Sequence, residues 1–339
     1  MSILVDPCLH DGALRQATYD GNLIVLTRLP AVSDLVDYTR EQLRELFRPF
    51  DPEHAHEYVK PAQMAELLGS WKPGWIHSAQ PQQLVREIIT QAGLPAEFTH
   101  YDVPRPRTSF PVGHLTTGVA FAFGWHRDSW YSAPAQQINW WLPVFPIRDD
   151  NSMAFDPQGF GRAVPNTSAT FDYYRNNTQR LSTARQVARE AQSRPAAIDH
   201  KAIQELIVLP APGSVLLFAG AQLHTSIPNT SGLARYSVDF RTVDARDLVA
   251  GRGAPVPDAS CTGTAIRDFR KISDGGAFDE QIVAGIFGAP PADAMLVFTD
   301  ADADAAAGGA RARRQRSSVK MPAARQGTAV RTAQRTAPQ

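Results

Sequence analysis

Apolar positions in the first hundred residues recur at helical spacing after one short continuous run. The run at residues 22–27 predicts a buried strand. Apolar residues three and four apart then predict helices over about 33–48, 61–69 and 78–93, and a proline or glycine follows each of the longer two. We therefore expect the first hundred residues to be mostly helical.

After residue 100 the pattern changes to short apolar runs broken by proline and glycine. These runs predict strands, whereas the stretches at 176–194 and 278–287 predict helices. Because strands and helices do not alternate regularly, a closed or sandwiched antiparallel sheet is favoured over a parallel nucleotide-binding sheet. The expected fold class is mainly β with surrounding helices. Strands are predicted over 118–128, 137–145, 205–209, 214–218 and 234–243, and loops over 151–170 and 251–262.

The composition excludes several classes of protein. Of the 339 residues, 43% are hydrophobic, which is enough for the core of one large domain or two ordinary ones. No run approaches the roughly 20 apolar residues of a membrane helix, and the N-terminus lacks the pattern of a secretory signal. Two cysteines, Cys8 and Cys261, cannot form a disulfide framework. We therefore expect a cytoplasmic protein without a membrane partner.

The formal net charge is +0, but the charges are distributed unevenly. Residues 311–339 hold eight basic residues and no acid, which leaves 26 basic against 34 acidic residues in 1–310. The folded part is thus acidic and is not expected to bind nucleic acid, and residues 301–339 are expected to be a disordered basic tail. The insert at 175–201 has a net charge of +4. It is either a solvated helix or a lid that attracts an anionic substrate.

Five polar residues in the strand-rich region suggest a metal site beside a carboxylate site. His126 and Asp128 are two residues apart, so they share one face of a predicted strand. His224 follows 98 residues later, directly after another predicted strand. Two histidines and a carboxylate on one face of a metal leave three positions open, as in non-haem Fe(II) oxygenases. Arg235 and Ser237 lie 11 and 13 residues after His224, and a guanidinium with a hydroxyl suits a terminal carboxylate.

With these motifs the sequence resembles the Fe(II)/2-oxoglutarate-dependent oxygenases, most closely the phytanoyl-CoA-dioxygenase-like branch. The resemblance covers about 101–245 and implies a double-stranded β-helix, also called a jelly roll or cupin-like core, with helices outside. We expect one catalytic domain over 1–300, in which a helical part at about 1–100 precedes the core and a helical and loop extension at 246–300 follows it. The matching segments are GWHRD at 124–128, PGSVLLF at 212–218, HTSIPN at 224–229 and RYSVDFR at 235–241.

The resemblance implies that His126, Asp128 and His224 hold Fe(II) and form the catalytic centre. It also implies an activity: with O2, 2-oxoglutarate is decarboxylated to succinate and CO2 while a C–H bond of a small molecule is oxidised, most simply by hydroxylation. Halogenating relatives carry a small residue where this chain has Asp128, which favours hydroxylation here. The substrate is expected to be a metabolite, and no oligomeric state is predicted.

The resemblance further implies that Arg235 and Ser237 bind the far carboxylate of 2-oxoglutarate. Asn139 is expected to face inward and touch this cosubstrate. Many members carry a Pro-Gly-Ser-His segment between the two halves of the triad, whereas this chain has residues 152–160, SMAFDPQGF, in that region. The substrate of the named branch is therefore not transferred to this protein.

Two other functions are compatible with the motifs. One is a cupin-like metalloenzyme that uses the same triad without 2-oxoglutarate, against which the Arg235 and Ser237 pair argues. The other is a jelly-roll binding protein without activity, against which the intact triad argues. A second histidine cluster at His54 and His56 lacks a third ligand at a telling spacing, so a solvated loop is favoured there.

Several aromatic residues lie close to the triad in sequence, and core packing is the expectation for most of them. Trp140 and Trp141 are consecutive in a predicted strand, so they must point to opposite sides of it. Trp130 and Tyr131 directly follow the first two ligands and are candidates for the wall of a substrate pocket. Arg241 is expected to form an ion pair with Asp239 or another acid.

Overall fold

The structure is a computed structural model that describes residues 1–183 and 194–297. The predicted basic tail at 301–339 and most of the second half of the predicted helix at 176–194 lie outside the described residues. Within the described ranges, no helix combines the length and the apolar character needed to cross a membrane.

The described residues form seven α-helices and eleven strands. The helices are α1 (Asp11–Tyr19), α2 (Pro30–Phe47), α3 (Pro61–Ile76), α4 (Ala79–Gln91), α5 (Tyr173–Thr183), α6 (Ala245–Ala250) and α7 (Glu280–Phe287). The strands are β1 (Ile3–Val5), β2 (Leu23–Leu26), β3 (Thr99–Tyr101), β4 (Arg105–Ser109), β5 (Ile138–Pro143), β6 (Met153–Phe155), β7 (Leu206–Ile207), β8 (Val215–Ala219), β9 (His224–Ser226), β10 (Arg235–Asp244) and β11 (Arg270–Lys271).

The strands form a large sheet and a small one. The large sheet has the order β1-β2-β8-β5-β10-β3-β11, with β4 also paired to β10, and the small sheet has the order β7-β6-β9. From β4 onward the chain alternates between them: β4, β5, β8 and β10 lie in the large sheet, and β6, β7 and β9 in the small one. His126 makes an isolated antiparallel bridge to β9 and so adds an edge to the small sheet. This winding is a jelly roll, and the predicted core with helices outside is confirmed.

Alternation along the strands sorts side chains between the helices and the space between the sheets. Trp140 belongs to the apolar cluster under the helices, and Trp141 to the cluster between the two sheets. The prediction that the two indoles point to opposite sides is therefore confirmed. Trp140 is fully buried, stacks on Phe240 with ring centroids 5.3 Å apart, and donates a hydrogen bond to Thr242 Oγ1 at 2.9 Å.

Three N-terminal helices cover the outer face of the large sheet. Apolar residues three and four apart on α2, α3 and α4 enter the same cluster as Trp140. The predicted mostly helical N-terminal part is thus observed, with α4 starting after Ser78 as expected. The buried residues of these helices include Leu35, Val36, Leu43, Met64, Leu68, Val85, Ile88 and Ile89.

Two helix boundaries differ from the prediction. Helix α2 begins at Pro30, before the expected start at residue 33, because proline is well tolerated at a first helical position, where its missing N–H is not needed. Helix α3 continues past Gly69 and through Pro73 to Ile76. Burial of Trp75 against the core favours the longer helix despite the poor helix formers, so packing overrides propensity there.

The predicted strand at 118–128 is wrong, and so is the idea that the first two ligands share a strand face. Residues 118–120 and 128–131 form short 3-10 helices, and between them only His126 makes a bridge to another strand. The region at 151–170, predicted as a loop, contains β6. Its three residues pair with both β7 and β9, so partners distant in sequence create a strand that is too short to predict.

Replacing Trp140 by alanine should lower the free energy of unfolding by about 3–5 kcal/mol, because a fully buried indole leaves a cavity under the helices. Urea unfolding followed by circular dichroism measures the change. The control is Ile203→Ala, because Ile203 is 85% exposed and its truncation should change stability by less than about 0.5 kcal/mol. Similar small losses for both variants would contradict the packing described here.

Candidate metal centre

Two histidines far apart in sequence are joined by a pair of backbone hydrogen bonds. The amide of His126 donates to the carbonyl of His224 at 2.8 Å, and the amide of His224 donates to the carbonyl of His126 at 2.9 Å. His224 is also the first residue of β9, which pairs with β6. The small sheet therefore fixes both imidazoles at the same level, with ring centroids 4.2 Å apart.

Each imidazole is oriented by a hydrogen bond from Nδ1 to a carbonyl two residues earlier. His126 Nδ1 lies 2.8 Å from the carbonyl of Gly124, and His224 Nδ1 lies 2.9 Å from that of Gln222. These contacts favour the tautomer that leaves a lone pair on Nε2, the form that ligates metals. Burial lowers the pKa of His126 to about 3 and also lowers the pKa of His224, so both rings are neutral at pH 7.

Asp128 completes the group from the start of the 3-10 helix at 128–131. Its Oδ1 lies 3.8 Å from His126 Nε2, while its Oδ2 accepts a hydrogen bond from Gln137 Nε2 at 3.1 Å and lies 3.8 Å from Arg241 Nε. One oxygen is thus held by the protein, and the other faces the histidines. Burial raises the pKa of Asp128, but the charge of Arg241 with smaller contributions from both histidines outweighs it, so the pKa is lowered and the carboxylate is ionised.

The ligand atoms of His126, Asp128 and His224 all lie within 4.8 Å of one another. In residues 1–183 and 194–297, no other set of three histidine, cysteine or acidic side chains converges in this way. In the competing cluster, His54 instead pairs with Glu57 at 2.7 Å on the surface. Two neutral imidazoles and one carboxylate on one side of a shared point fit a divalent metal such as Fe(II).

The residue between the first two ligands anchors this segment to the protein. Arg127 is fully buried and pairs with Asp258 at 3.2 Å, and it also donates to the carbonyls of Ala221 and Gly159. Asp258 in turn accepts from Trp130 Nε1 at 2.9 Å. Trp130 therefore serves this anchor and does not line a pocket. The roles of Arg127 and Asp258 could not be predicted from local sequence, because their pairing joins segments 131 residues apart.

Arg235 and Ser237 point to the inner side of β10, where each carries a polar atom without a partner. Arg235 is 7% exposed, and its Nη1 donates to the carbonyls of Asn151 and Ser152, both at 3.1 Å. Its Nε and the hydroxyl oxygen of Ser237 are buried and unpaired among the described residues. Such orphaned groups are costly unless an acceptor reaches them. A carboxylate fits this position, and binding of the far end of 2-oxoglutarate by these two residues stays a prediction.

Asn139 faces the interior, as expected. It lies opposite Arg241 of β10 and Phe218 of β8 in the large sheet, and its Oδ1 accepts from Gln137 Nε2 at 2.8 Å. Through Gln137 it is linked to Asp128. Contact between Asn139 and a cosubstrate stays a prediction.

The predicted ion pair of Arg241 is confirmed, and Arg241 has more acidic partners than expected. Arg241 contacts Asp239 and Asp102, both at 3.1 Å, besides its approach to Asp128. Asp239 is in turn held by Arg107 through two hydrogen bonds of 2.9 and 3.0 Å. Alternating acids and bases therefore lead from Asp128 across the inner face of the large sheet.

Four aromatic residues line one side of the histidines, and we call them the aromatic wall. Phe123 stacks on His126 at 5.0 Å, and Tyr131 meets the same ring edge-on at 5.6 Å. Phe121 packs against Phe123 at 4.9 Å, and Phe171 against Tyr131 at 5.2 Å. Tyr131 was correctly expected near the triad, whereas Phe121 and Phe123 were assigned to a strand.

No protein-family model matches the chain, and no curated protein matches it in sequence. Among solved structures, EvdO2 from Micromonospora carbonacea var. aurantiaca, complexed with 2-oxoglutarate, matches with a TM-score of 0.42 and 15% identity, covering 74% of this chain and 95% of its own. The epimerase SnoN, in complex with Fe3+, alpha ketoglutarate and nogalamycin RO, has a TM-score of 0.38 and 13% identity, covering 69% and 85%.

A third match is SnoK, a non-heme alpha ketoglutarate dependent carbocyclase from nogalamycin biosynthesis, with a TM-score of 0.35 and 12% identity, covering 71% of this chain and 91% of its own. Because these TM-scores lie below 0.5, the likenesses carry no conclusion about the chemistry of this chain.

Replacing Gln137 by leucine should weaken metal binding by about 10- to 100-fold, because Asp128 loses the hydrogen bond that holds its Oδ2. Calorimetric titration of the full chain with Mn(II) measures the affinity. Gln83→Leu, on the exposed side of α4, is the matched control and should bind Mn(II) like the original protein. An unchanged affinity in a folded Gln137→Leu protein would show that this hydrogen bond does not position the ligand.

Proposed function

We propose that this protein is a non-haem Fe(II)- and 2-oxoglutarate-dependent oxygenase that hydroxylates a C–H bond of a small molecule. The observation that carries the proposal is the combination of two features inside one barrel. A convergent two-histidine, one-carboxylate group lies between the sheets, and unpaired buried donors lie on the same inner face of β10.

The triad suits this chemistry because its three ligands come from one side. His126, His224 and Asp128 Oδ1 would hold the metal and leave the opposite positions for a chelating cosubstrate and O2. The carbonyls of Gly124 and Gln222 keep both Nε2 atoms turned toward that point. An intact carboxylate at position 128 supports hydroxylation over halogenation.

Arg235 and Ser237 would bind the carboxylate of 2-oxoglutarate that does not touch the metal. Arg235 is already restrained by two carbonyl acceptors and lies over the Trp141 ring, with its guanidinium carbon 5.7 Å from the ring centroid. Burial lowers its pKa to about 10, which still leaves the guanidinium charged at pH 7. An anion at this position would pair with a charge that the fold has already desolvated.

When bound, the metal and the cosubstrate supply the oxidation: O2 is consumed, 2-oxoglutarate becomes succinate and CO2, and a substrate C–H bond is hydroxylated. The chain's own residues orient the bound groups and shield the metal site from water. Phe218 and Phe155 pack on His224, with ring centroids 5.1 and 5.9 Å away, and the aromatic wall covers His126. These rings keep water from the triad and offer an apolar surface to a substrate.

We also propose that residues 1–300 work as one catalytic domain. Strand β2 from the N-terminal part pairs with β8 of the jelly roll, and β11 from the C-terminal extension pairs with β3. Arg15 of α1 pairs with Asp247 of α6 at 2.5 Å in a buried contact. Strand pairing and buried ion pairs across these boundaries support a single unit.

Anaerobic absorption spectroscopy tests the proposed function. Adding Fe(II) and then 2-oxoglutarate should produce the weak visible charge-transfer band of an iron–keto-acid chelate. His224→Ala should abolish the band because a metal ligand is lost. Arg235→Gln should require at least about tenfold more 2-oxoglutarate, because a charge-assisted contact to the cosubstrate is removed.

Arg44→Gln is the control, because Arg44 is exposed on α2 and should leave the titration unchanged. A folded, iron-loaded protein without the band would rule out 2-oxoglutarate and favour a cupin-like metalloenzyme. If His224→Ala still bound Fe(II) normally, the metal centre itself would be misassigned.

A further inference from the structure

Three cations lie together at one side of the barrel, where Arg107 is the cross-strand partner of Ser237. They are Lys72 of α3, Arg107 of β4 and Arg194, and we call them the cation cluster. Besides burial, the charge of Arg107 lowers the pKa of both Lys72 and Arg194, so Arg107 is within electrostatic reach of each. Arg107 alone has an acidic partner, Asp239.

Lys72 is a buried lysine that forms no ion pair with a described residue, although the charge of Asp239 acts on it. It is 8% exposed, and its Nζ donates one hydrogen bond, to the carbonyl of Val119 at 2.6 Å. An ammonium group has three donors, and lysine is almost never fully buried unless it is paired. The 3-10 helix at 118–120 that receives this bond runs directly into the aromatic wall at Phe121.

Arg194 packs against the same segment. Its guanidinium carbon lies 5.4 Å from the ring centroid of Phe121. Among the described residues no acid pairs with it, and the groups that act on its charge are Tyr131 and Arg107. Lys72 and Arg194 thus contact positions two residues apart, Val119 and Phe121, and Arg107 adds its charge to both.

The acids of the barrel are already engaged. Asp239 is shared by Arg107 and Arg241, and Asp128 is a proposed metal ligand. A 2-oxoglutarate molecule would place its two carboxylates on the metal and on Arg235. Lys72 and Arg194 then still form no ion pair with a described residue, so their charges are available to one more anion.

We propose that the cation cluster is the substrate-recognition site and that it binds the carboxylate or phosphate of a small organic acid. This inference rests on the proposed function for the position of the cosubstrate. The ring contacts from Phe121 to Phe123 and on to His126 connect the cluster with the metal ligands. The apolar body of the substrate lies along these rings, which brings a C–H bond to the metal while its anionic end contacts Lys72 and Arg194.

Benzoate and phenyl phosphate are the probes, and benzamide is their uncharged counterpart. Calorimetric titrations use the full chain with Mn(II) and saturating 2-oxoglutarate. Benzoate or phenyl phosphate should bind at least about tenfold more tightly than benzamide, and the tighter of the two identifies the anion. Arg194→Gln and Lys72→Met should each weaken anion binding about tenfold and leave benzamide binding unchanged. Thermal unfolding verifies that both variants fold.

Arg175→Gln is the matched control, because Arg175 is exposed on α5 of the same basic insert. It should bind both anions like the original protein. The inference is overturned if the anions bind no better than benzamide, or if Arg194→Gln and Lys72→Met bind them normally. It is also overturned if 2-oxoglutarate displaces benzoate and Arg235→Gln abolishes benzoate binding, since the anion would then occupy the cosubstrate position.

Absorption spectroscopy distinguishes failure of the proposed function from failure of the present inference. In that case the iron–2-oxoglutarate band would be absent from the original protein, whatever the anions do. If only the present inference fails, the band forms in the original protein, in Arg194→Gln and in Lys72→Met, while anion binding shows no dependence on these two residues.

Discussion

The reciprocal backbone pairing of His126 and His224 is the constraint on which the site depends. It joins two segments that are 98 residues apart in sequence and sets both imidazoles at one level of the small sheet. Asp128 obtains its position from the same pairing, because it lies two residues further on. A slip of one residue in this register would turn the side chains to the other face, so the proposed metal site depends directly on correct pairing of the small sheet.

The two faces of the large sheet differ in composition: the outer face contributes to the apolar core, and the inner face carries the candidate site. Its outer face is apolar and packs under α2, α3 and α4, with Trp140, Val238 and Phe240 in one cluster. Its inner face carries Arg235, Ser237, Asp239 and Arg241 at alternate positions of β10. These groups are buried at a cost in desolvation, which the outer core offsets. We therefore attribute the polar inner face to the ligands proposed to bind there.

Much of this arrangement could be predicted from the sequence, because it follows from local periodicity and spacing. Helices α2 and α4 and strands β2, β5, β8 and β10 were located to within a few residues, whereas α1 was not predicted. The triad could be identified by residue type and offset. Local patterns could not predict the ends of α2 and α3, strand β6 or the path of residues 118–128, because packing decides them. Gln137 and Arg127 were missed for the same reason: a glutamine or an arginine acquires its role from partners distant in sequence, and no local pattern marks it.

The central claim is that the triad and Arg235 bind the two ends of one cosubstrate around a metal. A crystal structure of the full chain with Mn(II) and 2-oxoglutarate tests this claim most directly, because Mn(II) occupies an iron site of this kind without turnover. We expect Mn(II) bound by both Nε2 atoms and Asp128 Oδ1, with 2-oxoglutarate chelating the metal and its far carboxylate on Arg235 and Ser237. Mn(II) at other residues, or 2-oxoglutarate bound away from Arg235, would contradict it.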